Sequence, residues 1–184
     1  SDLATSADDL NTELGGPAKT AEQVGSVLVA AFTAPKLRWV ADNEKENAAK
    51  VAAVALPHDW LSWQMQGGKD FDLLFTDRSD ASGTGYFNPV TSSYRHDILS
   101  SALRTDRAII APRIIEPAAF GGKTLSGIPI AAGAGDNAAA ALGVQAEPGD
   151  VVVSLGTSGT AFAISDTPTH DPSGAVAGFA DATG

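Results

Sequence analysis

Apolar positions along the chain fall in short groups, separated by glycine, proline and small polar residues. That spacing predicts short helices mixed with short strands. The first twenty residues hold Asn11, Gly15, Gly16 and Pro17 and read as an entry loop. Residues 22–31 carry enough alanine and valine for a helix, which Gly25 weakens. A firmer helix follows, with Thr33 as N-cap, Pro35 in the first turn, and Leu37, Trp39 and Val40 beyond. Asn43 is placed to cap a second short helix ending at Lys50, and residues 51–56 read as a buried strand or helix end closed by Pro57. Asp59 caps a further helix to Met65, stopped by Gly67 and Gly68. Helix packing accounts for Trp39, Trp60 and Trp63 as core residues.

Residues 76–84 form a polar turn rich in Asp and Ser, Asp97 caps a helix holding Ile98, Leu99, Ala102 and Leu103, and residues 112–127 are mainly loop. The pattern changes at Ile128. A short strand over 128–132 leads through Gly133 and Gly135 to Asp136, Asn137 and an alanine-rich helix over 138–142. Residues 151–155 and 160–165 then pair as a β-hairpin, with a glycine- and hydroxyl-rich tip between them. The mixture gives an α/β or α+β class.

Composition narrows the chemistry. An apolar fraction of 43% over 184 residues supports a buried core. The formal charge of −10 argues against nucleic acid and anionic membranes as partners. No cysteine is present, which removes disulfides and thiolate metal sites and is compatible with a cytoplasmic protein. No apolar run is long enough to span a bilayer as a helix. His58, His96 and His170 lack metal-ligand spacing, so no metal is assigned to them.

Two loops carry candidate chemistry. Asp136 lies where a strand gives way to a helix behind two glycines, a position from which a carboxylate can take a proton from a substrate hydroxyl. Asn137 adds an amide that can donate to and accept from a polyol. Two other readings stay open at this level. Asp136 also suits the N-cap of the alanine-rich helix, and Gly133, Gly135 and Ala138 fit G-x-G-x-x-A, the weak fingerprint of a dinucleotide site. The second loop joins Gly156, Thr157, Ser158 and Gly159. It combines close-approach glycines with hydroxyls and reads either as a phosphate cradle or as an ordinary hairpin turn. Asp77, Asp80 and Ser82 either approach the same cleft or form a capped, solvated turn.

Taken together, five segments resemble the FGGY family of carbohydrate kinases. Residues 32–40, Phe-Thr-Ala-Pro-Lys-Leu-Arg-Trp-Val with Lys36 and Trp39, resemble that family's first signature. Residues 56–61, Leu-Pro-His-Asp-Trp-Leu, are similar to its Leu-Pro-Lys-Asp-Tyr-Leu segment. Residues 76–84 resemble its Thr-Asp-x-Ser-(Asp/Asn)-Ala stretch, and residues 133–139 and 154–159 complete the series in the family's order.

The resemblance implies an actin-like, ribonuclease-H-like ATPase fold. Residues 1–149 would be the latter part of an N-terminal sugar-binding domain, incomplete, and residues 150–184 the start of a second such domain that binds nucleotide. It implies that Asp136 is the general base, that Asp136 and Asn137 contact the sugar, and that Gly156, Thr157, Ser158 and Gly159 contact the nucleotide phosphates. The Asp-Asn pair favours family members acting on D-xylulose over glycerol kinases, with ATP and Mg2+ as cosubstrate and cofactor, and leaves room for a homodimer in a full-length protein. Another polyol or sugar-acid kinase and a noncatalytic sugar-binding module are the alternatives. An Asp-x-Gly-Thr phosphate turn, which family members place near their start, is missing near residue 1. A fragment, inactive alone, is therefore expected.

Overall fold

The computed structural model describes residues 2–157 and 159–184. The N-terminal stretch read as a loop is helical. α1 (Leu3–Glu13) starts at Asp2, whose carboxylate accepts the Thr5 N–H at 2.8 Å, and α2 (Pro17–Val24) begins on Pro17 and ends at left-handed Gly25. The reading failed because Gly15, Gly16 and Pro17 punctuate two helices rather than fill one loop; Asn11, taken as a loop residue, is buried and exchanges hydrogen bonds with the Leu28 backbone. The helix expected over 22–31 stops at Val24 for the reason that weakened it, Gly25.

α3 (Thr33–Asn43) forms as expected, with Phe32 rather than Thr33 at the cap. Its buried face is Ala34, Pro35, Arg38 and Ala41, whereas Leu37, Trp39 and Val40 are half-buried. Arg38 is wholly buried. Its guanidinium donates to both carboxylate oxygens of Glu13 on α1 and, at 2.7 Å, to the Ser101 carbonyl on α7 (His96–Leu103). One long side chain thus ties three helices together, and the Glu13 carboxyl lies below its ordinary range because it bonds that guanidinium.

Around this tie lies the main core, built from Leu10, Val24, Leu28, Phe32, Val54, Tyr86, Ile98, Leu99, Leu103 and Ile109. α4 (Lys45–Ala48) follows Glu44, not Asn43, and of residues 51–56 only Val54 is buried. In α5 (Pro57–Met65), Asp59 sits inside the first turn and reaches back to accept the Leu56 N–H at 2.8 Å. Trp60 is 54% exposed rather than core, and Trp63 stacks on Phe71 at 5.5 Å.

Sheet pairing is local. β1 (Phe75–Thr76) pairs in parallel with β4 (Arg113–Ile114); β2 (Phe87–Asn88) and β3 (Ser93–Tyr94) are antiparallel, and α6 (Arg78–Ser82) fills the gap between β1 and β2. The region read as loop over 112–127 contains β4 and also β5 (Phe120–Lys123), which pairs with β6 (Pro129–Ala131). A second, smaller core of Phe75, Ile115 and Ala132, with Ile130 against it, joins β1 to the end of β6. Gly121 packs on the Phe75 ring so closely that a Cβ there would lie 2.4 Å from ring carbons. After α8 (Asp136–Gly143) the hairpin forms as read: β7 (Val151–Leu155) pairs with β8 (Gly159–Ala163) from Val151↔Ala163 to Leu155↔Gly159. Beyond it the chain returns to the first helices. The Gly178 N–H donates to the Gly25 carbonyl at 2.9 Å, the Ala180 N–H to the Ser82 hydroxyl at 3.0 Å, and Phe179 meets Phe32 edge-on.

Candidate functional site

Asp136 is carried by the junction between β6 and α8. Ala132, buried in the second core, anchors the end of β6; Gly133 then takes φ +82°, a left-handed turn that a side chain would strain. Gly135, not Asp136, is the N-cap of α8, so the capping role that competed for Asp136 falls to a glycine without a side chain. Asp136 is the first helical residue. It is exposed, its Oδ1 accepts the Asn137 N–H at 2.8 Å, and Asn137 is exposed beside it. A carboxylate in this position, at the first turn of α8, is open to a substrate.

Behind that junction lies α6. Its N-cap, Asp77, is 3% exposed, and its Oδ2 accepts the N–H groups of Ser79 and Asp80 at 2.8 and 3.1 Å together with the Ser79 hydroxyl. The Ser79 hydroxyl oxygen in turn accepts the Gly135 N–H at 2.9 Å. Residues 76–84 are therefore a buried support for the loop of Asp136, and not a solvated turn; Thr76, Asp77, Ser79, Ser82 and Thr84 are all buried.

Next to α6, His58 of α5 stands among three carboxylates. Its Nε2 lies 2.8 Å from Asp59 Oδ1 and 3.3 Å from Asp80 Oδ2, and donor atoms of His58, Asp77 and Asp80 fall within 4.8 Å of one another. Spacing in the sequence gave no hint of this group, because His58 and Asp59 come from α5, whereas Asp77 and Asp80 come from α6 and its cap, 18 or more residues further on. An imidazolium here offsets part of the carboxylate charge. Contact with Asp59 holds the His58 pKa above its ordinary value, assisted by the Asp80 and Asp77 charges and opposed by burial. Burial raises Asp80 to about 6; the His58 charge works against that rise, and Asp77 and Asp59 add to it. His96 and His170 lie elsewhere: His96 packs against Tyr94, and His170 Nδ1 lies 3.1 Å from the Ala21 carbonyl.

At the hairpin tip, Gly156, Thr157 and Gly159 are exposed; Ser158 lies outside the described residues. No hydrogen bond among the described residues joins this tip to Asp136 or Asn137. The chain brings the Asp136 loop onto α6.

Comparison with known proteins places this arrangement. Residues 3–143 match the FGGY family of carbohydrate kinases, N-terminal domain. A xylulose kinase from Streptomyces coelicolor is 45% identical over 189 residues, covering 98% of this chain and 38% of that protein. One from Streptomyces rubiginosus is 43% identical, covering 94% and 36%. Among solved structures, the xylulose kinase from Bifidobacterium adolescentis superposes with a TM-score of 0.88 at 39% identity, over 98% of this chain and 44% of that one. The chain thus spans less than half the length of these relatives, 36–44%. No helix among the described residues is long and apolar enough to cross a membrane. The fold is part of the actin-like ATPase fold of the sugar kinases, and the chain belongs to the FGGY family of carbohydrate kinases.

Proposed function

We propose that this chain is the part of an ATP-dependent sugar kinase that supplies the proton acceptor, and that the sugar is D-xylulose. In this reading Asp136 takes the proton of the sugar hydroxyl as its oxygen attacks the γ-phosphorus of ATP. A new O–P bond forms, the bond to the β-phosphate oxygen breaks, and ADP leaves. Asn137 hydrogen-bonds a neighbouring hydroxyl, and Gly156, Thr157, Ser158 and Gly159 meet the nucleotide phosphates through backbone N–H groups and hydroxyls. Residues 1–149 belong to the sugar-binding domain and 150–184 open the nucleotide-binding one, a division consistent with a family match that ends at residue 143. The observation that carries the reading is the exposed carboxylate of Asp136 on a mount fixed from behind, in a chain 45% identical to a xylulose kinase.

Mg2+ is held largely by substrate phosphates and water, so it would enter with ATP, and no residue of this chain is assigned to it. When bound, the ion would supply charge neutralisation to the phosphates; orientation and proton acceptance remain with Asp136 and Asn137.

The test is a chimera in which residues 1–184 replace the matching segment of the Streptomyces coelicolor xylulose kinase. The chimera is expected to phosphorylate D-xylulose, and Asp136→Asn within it to lower kcat about 10³-fold with KM little changed. Unchanged turnover would remove Asp136 from the mechanism. The 184-residue chain by itself is expected to show no kinase activity. A second substrate class is favoured by one finding, 36% identity over 137 residues to a glycerol kinase from Roseiflexus. Faster phosphorylation of glycerol than of D-xylulose by the chimera would select it.

A further inference from the structure

The Asp136 carboxylate has one hydrogen bond among the described residues, and that bond is to its own neighbour, Asn137. Its direction is therefore set by the backbone that carries it. That backbone is fixed at two points. Ala132 is buried in the smaller core, and Gly135 donates its N–H to the Ser79 hydroxyl across 56 residues of sequence.

The second point is the unusual one. Four N–H groups at a helix start lack partners within the helix, and the N-cap residue commonly satisfies one with its own side chain. Gly135 has no side chain to offer, and its own N–H is satisfied from outside by Ser79. The Ser79 hydroxyl cannot rotate freely to other partners, because its single proton is given to Asp77 Oδ2. That leaves an oxygen lone pair facing Gly135. Ser79 is 6% exposed and Asp77 3%, so water does not compete easily for either bond. Asp80 closes the other side: a Cβ on Gly135 would lie 3.3 Å from its Oδ1 and 3.6 Å from the Ser79 hydroxyl, so the loop rests directly on α6.

We propose that Ser79 is a positioning residue for Asp136. Held by Asp77, its hydroxyl pins the Gly135 N–H and thereby sets where the first turn of α8 places the carboxylate. The inference deepens the proton-acceptor reading above and rests on it for its kinetic consequence, while the pinning itself is a property of this chain alone. Displacing a reacting group by about 1 Å costs on the order of 100-fold in rate, so the bond matters out of proportion to its own strength.

Two measurements test this separately. In the 184-residue chain, amide hydrogen exchange followed by NMR is expected to be about tenfold faster at Gly135 in Ser79→Ala than in the parent. Ser79→Thr, which keeps the hydroxyl, should restore protection. Ser82→Ala serves as control: it removes a hydroxyl of the same helix that accepts the Ala180 N–H instead, and should leave Gly135 unchanged. In the chimera, Ser79→Ala is expected to lower kcat by about 10- to 100-fold with KM within about threefold, and Ser79→Thr to recover most of it. Unaltered Gly135 exchange in Ser79→Ala overturns the pinning. Faster exchange with unaltered kcat, in a chimera that Asp136→Asn inactivates, overturns the positioning role. If Asp136→Asn leaves turnover intact, the proton-acceptor reading fails, and the exchange data still decide whether Ser79 pins the loop.

Discussion

In the helical body formed by α1, α3 and α7, an arginine is wholly buried; in the β7–β8 hairpin, two valines and a leucine stand in the open. Arg38 is 0% exposed, whereas Val151, Val153 and Leu155, which share one face of β7, are 60–86% exposed. The usual assignment of charge to the surface and apolar groups to the core is inverted in both places, for different reasons. Arg38 can be buried because its charge meets Glu13 and the Ser101 carbonyl at hydrogen-bonding distance. The hairpin can be exposed because its register is fixed by its own ladder, with five consecutive pairs from Val151↔Ala163 to Leu155↔Gly159. One region derives its stability from tertiary contacts and the other its shape from local pairing. The Asp136 loop lies between them, chemically exposed yet mounted on buried residues.

The comparison can be broken most sharply at Arg38. Arg38→Ala removes the tie between three helices and is expected to destabilise the chain by about 3 kcal/mol, measured by urea unfolding. Arg38→Met, which keeps the apolar stem, should recover part of that. A loss below about 1 kcal/mol for Arg38→Ala would show that the pair behaves as a surface ion pair and that the body is held by its apolar core alone.

Asp80 gives an intermediate effect that depends on pH. Its pKa is raised to about 6 by burial, so the folded state holds that proton more tightly than the unfolded chain. The corresponding stability is complete below the ordinary carboxylate range and is lost as pH rises through about 6. The raised pKa of His58 acts in the same sense at higher pH, its contribution being present below its ordinary value and lost as pH rises through the raised one. Asp80→Asn cannot titrate, so its Tm relative to the parent is expected to climb between pH 4 and pH 6, by an amount equivalent to roughly 1–2 kcal/mol after solvent screening. A difference independent of pH over that range would mean that burial does not perturb the Asp80 carboxyl.

The smallest effect belongs to the hairpin. Leu155→Ser, at a position 86% exposed, is expected to change the stability of the chain by less than about 0.5 kcal/mol in the same urea experiment. A larger loss would place Leu155 in a packed environment and erase the contrast with the helical body.

Much of this was legible in the residues themselves where the signal is local. The hairpin over 151–165 followed from β-branched runs around a glycine turn, and α3 and α7 from the spacing of their apolar residues. Capping was less legible. Thr33, Asn43, Asp97 and Asp136 each look like caps, yet the caps are Phe32, Glu44, Arg95 and Gly135, because a polar residue in the first or last turn has the same composition as one just outside it. The exposure of Trp60 and the burial of Arg38 were not legible at all, since each depends on what the rest of the chain brings against that face of the helix.

By itself, the sequence determined several local elements (α3, α5, α7 and the β7–β8 hairpin), the strand-to-helix junction that carries Asp136 and Asn137, and the five segments that mark the sugar-kinase family. Only the tertiary structure decided that Gly135 caps α8, that Ser79 and Asp77 stand behind it, and that His58 lies among Asp59, Asp77 and Asp80. The division has a physical reason. Backbone propensity and turn chemistry act over a few residues and are written in order along the chain. A hydrogen bond between Ser79 and Gly135 spans 56 residues and exists only once the smaller core has brought β1 and β6 together.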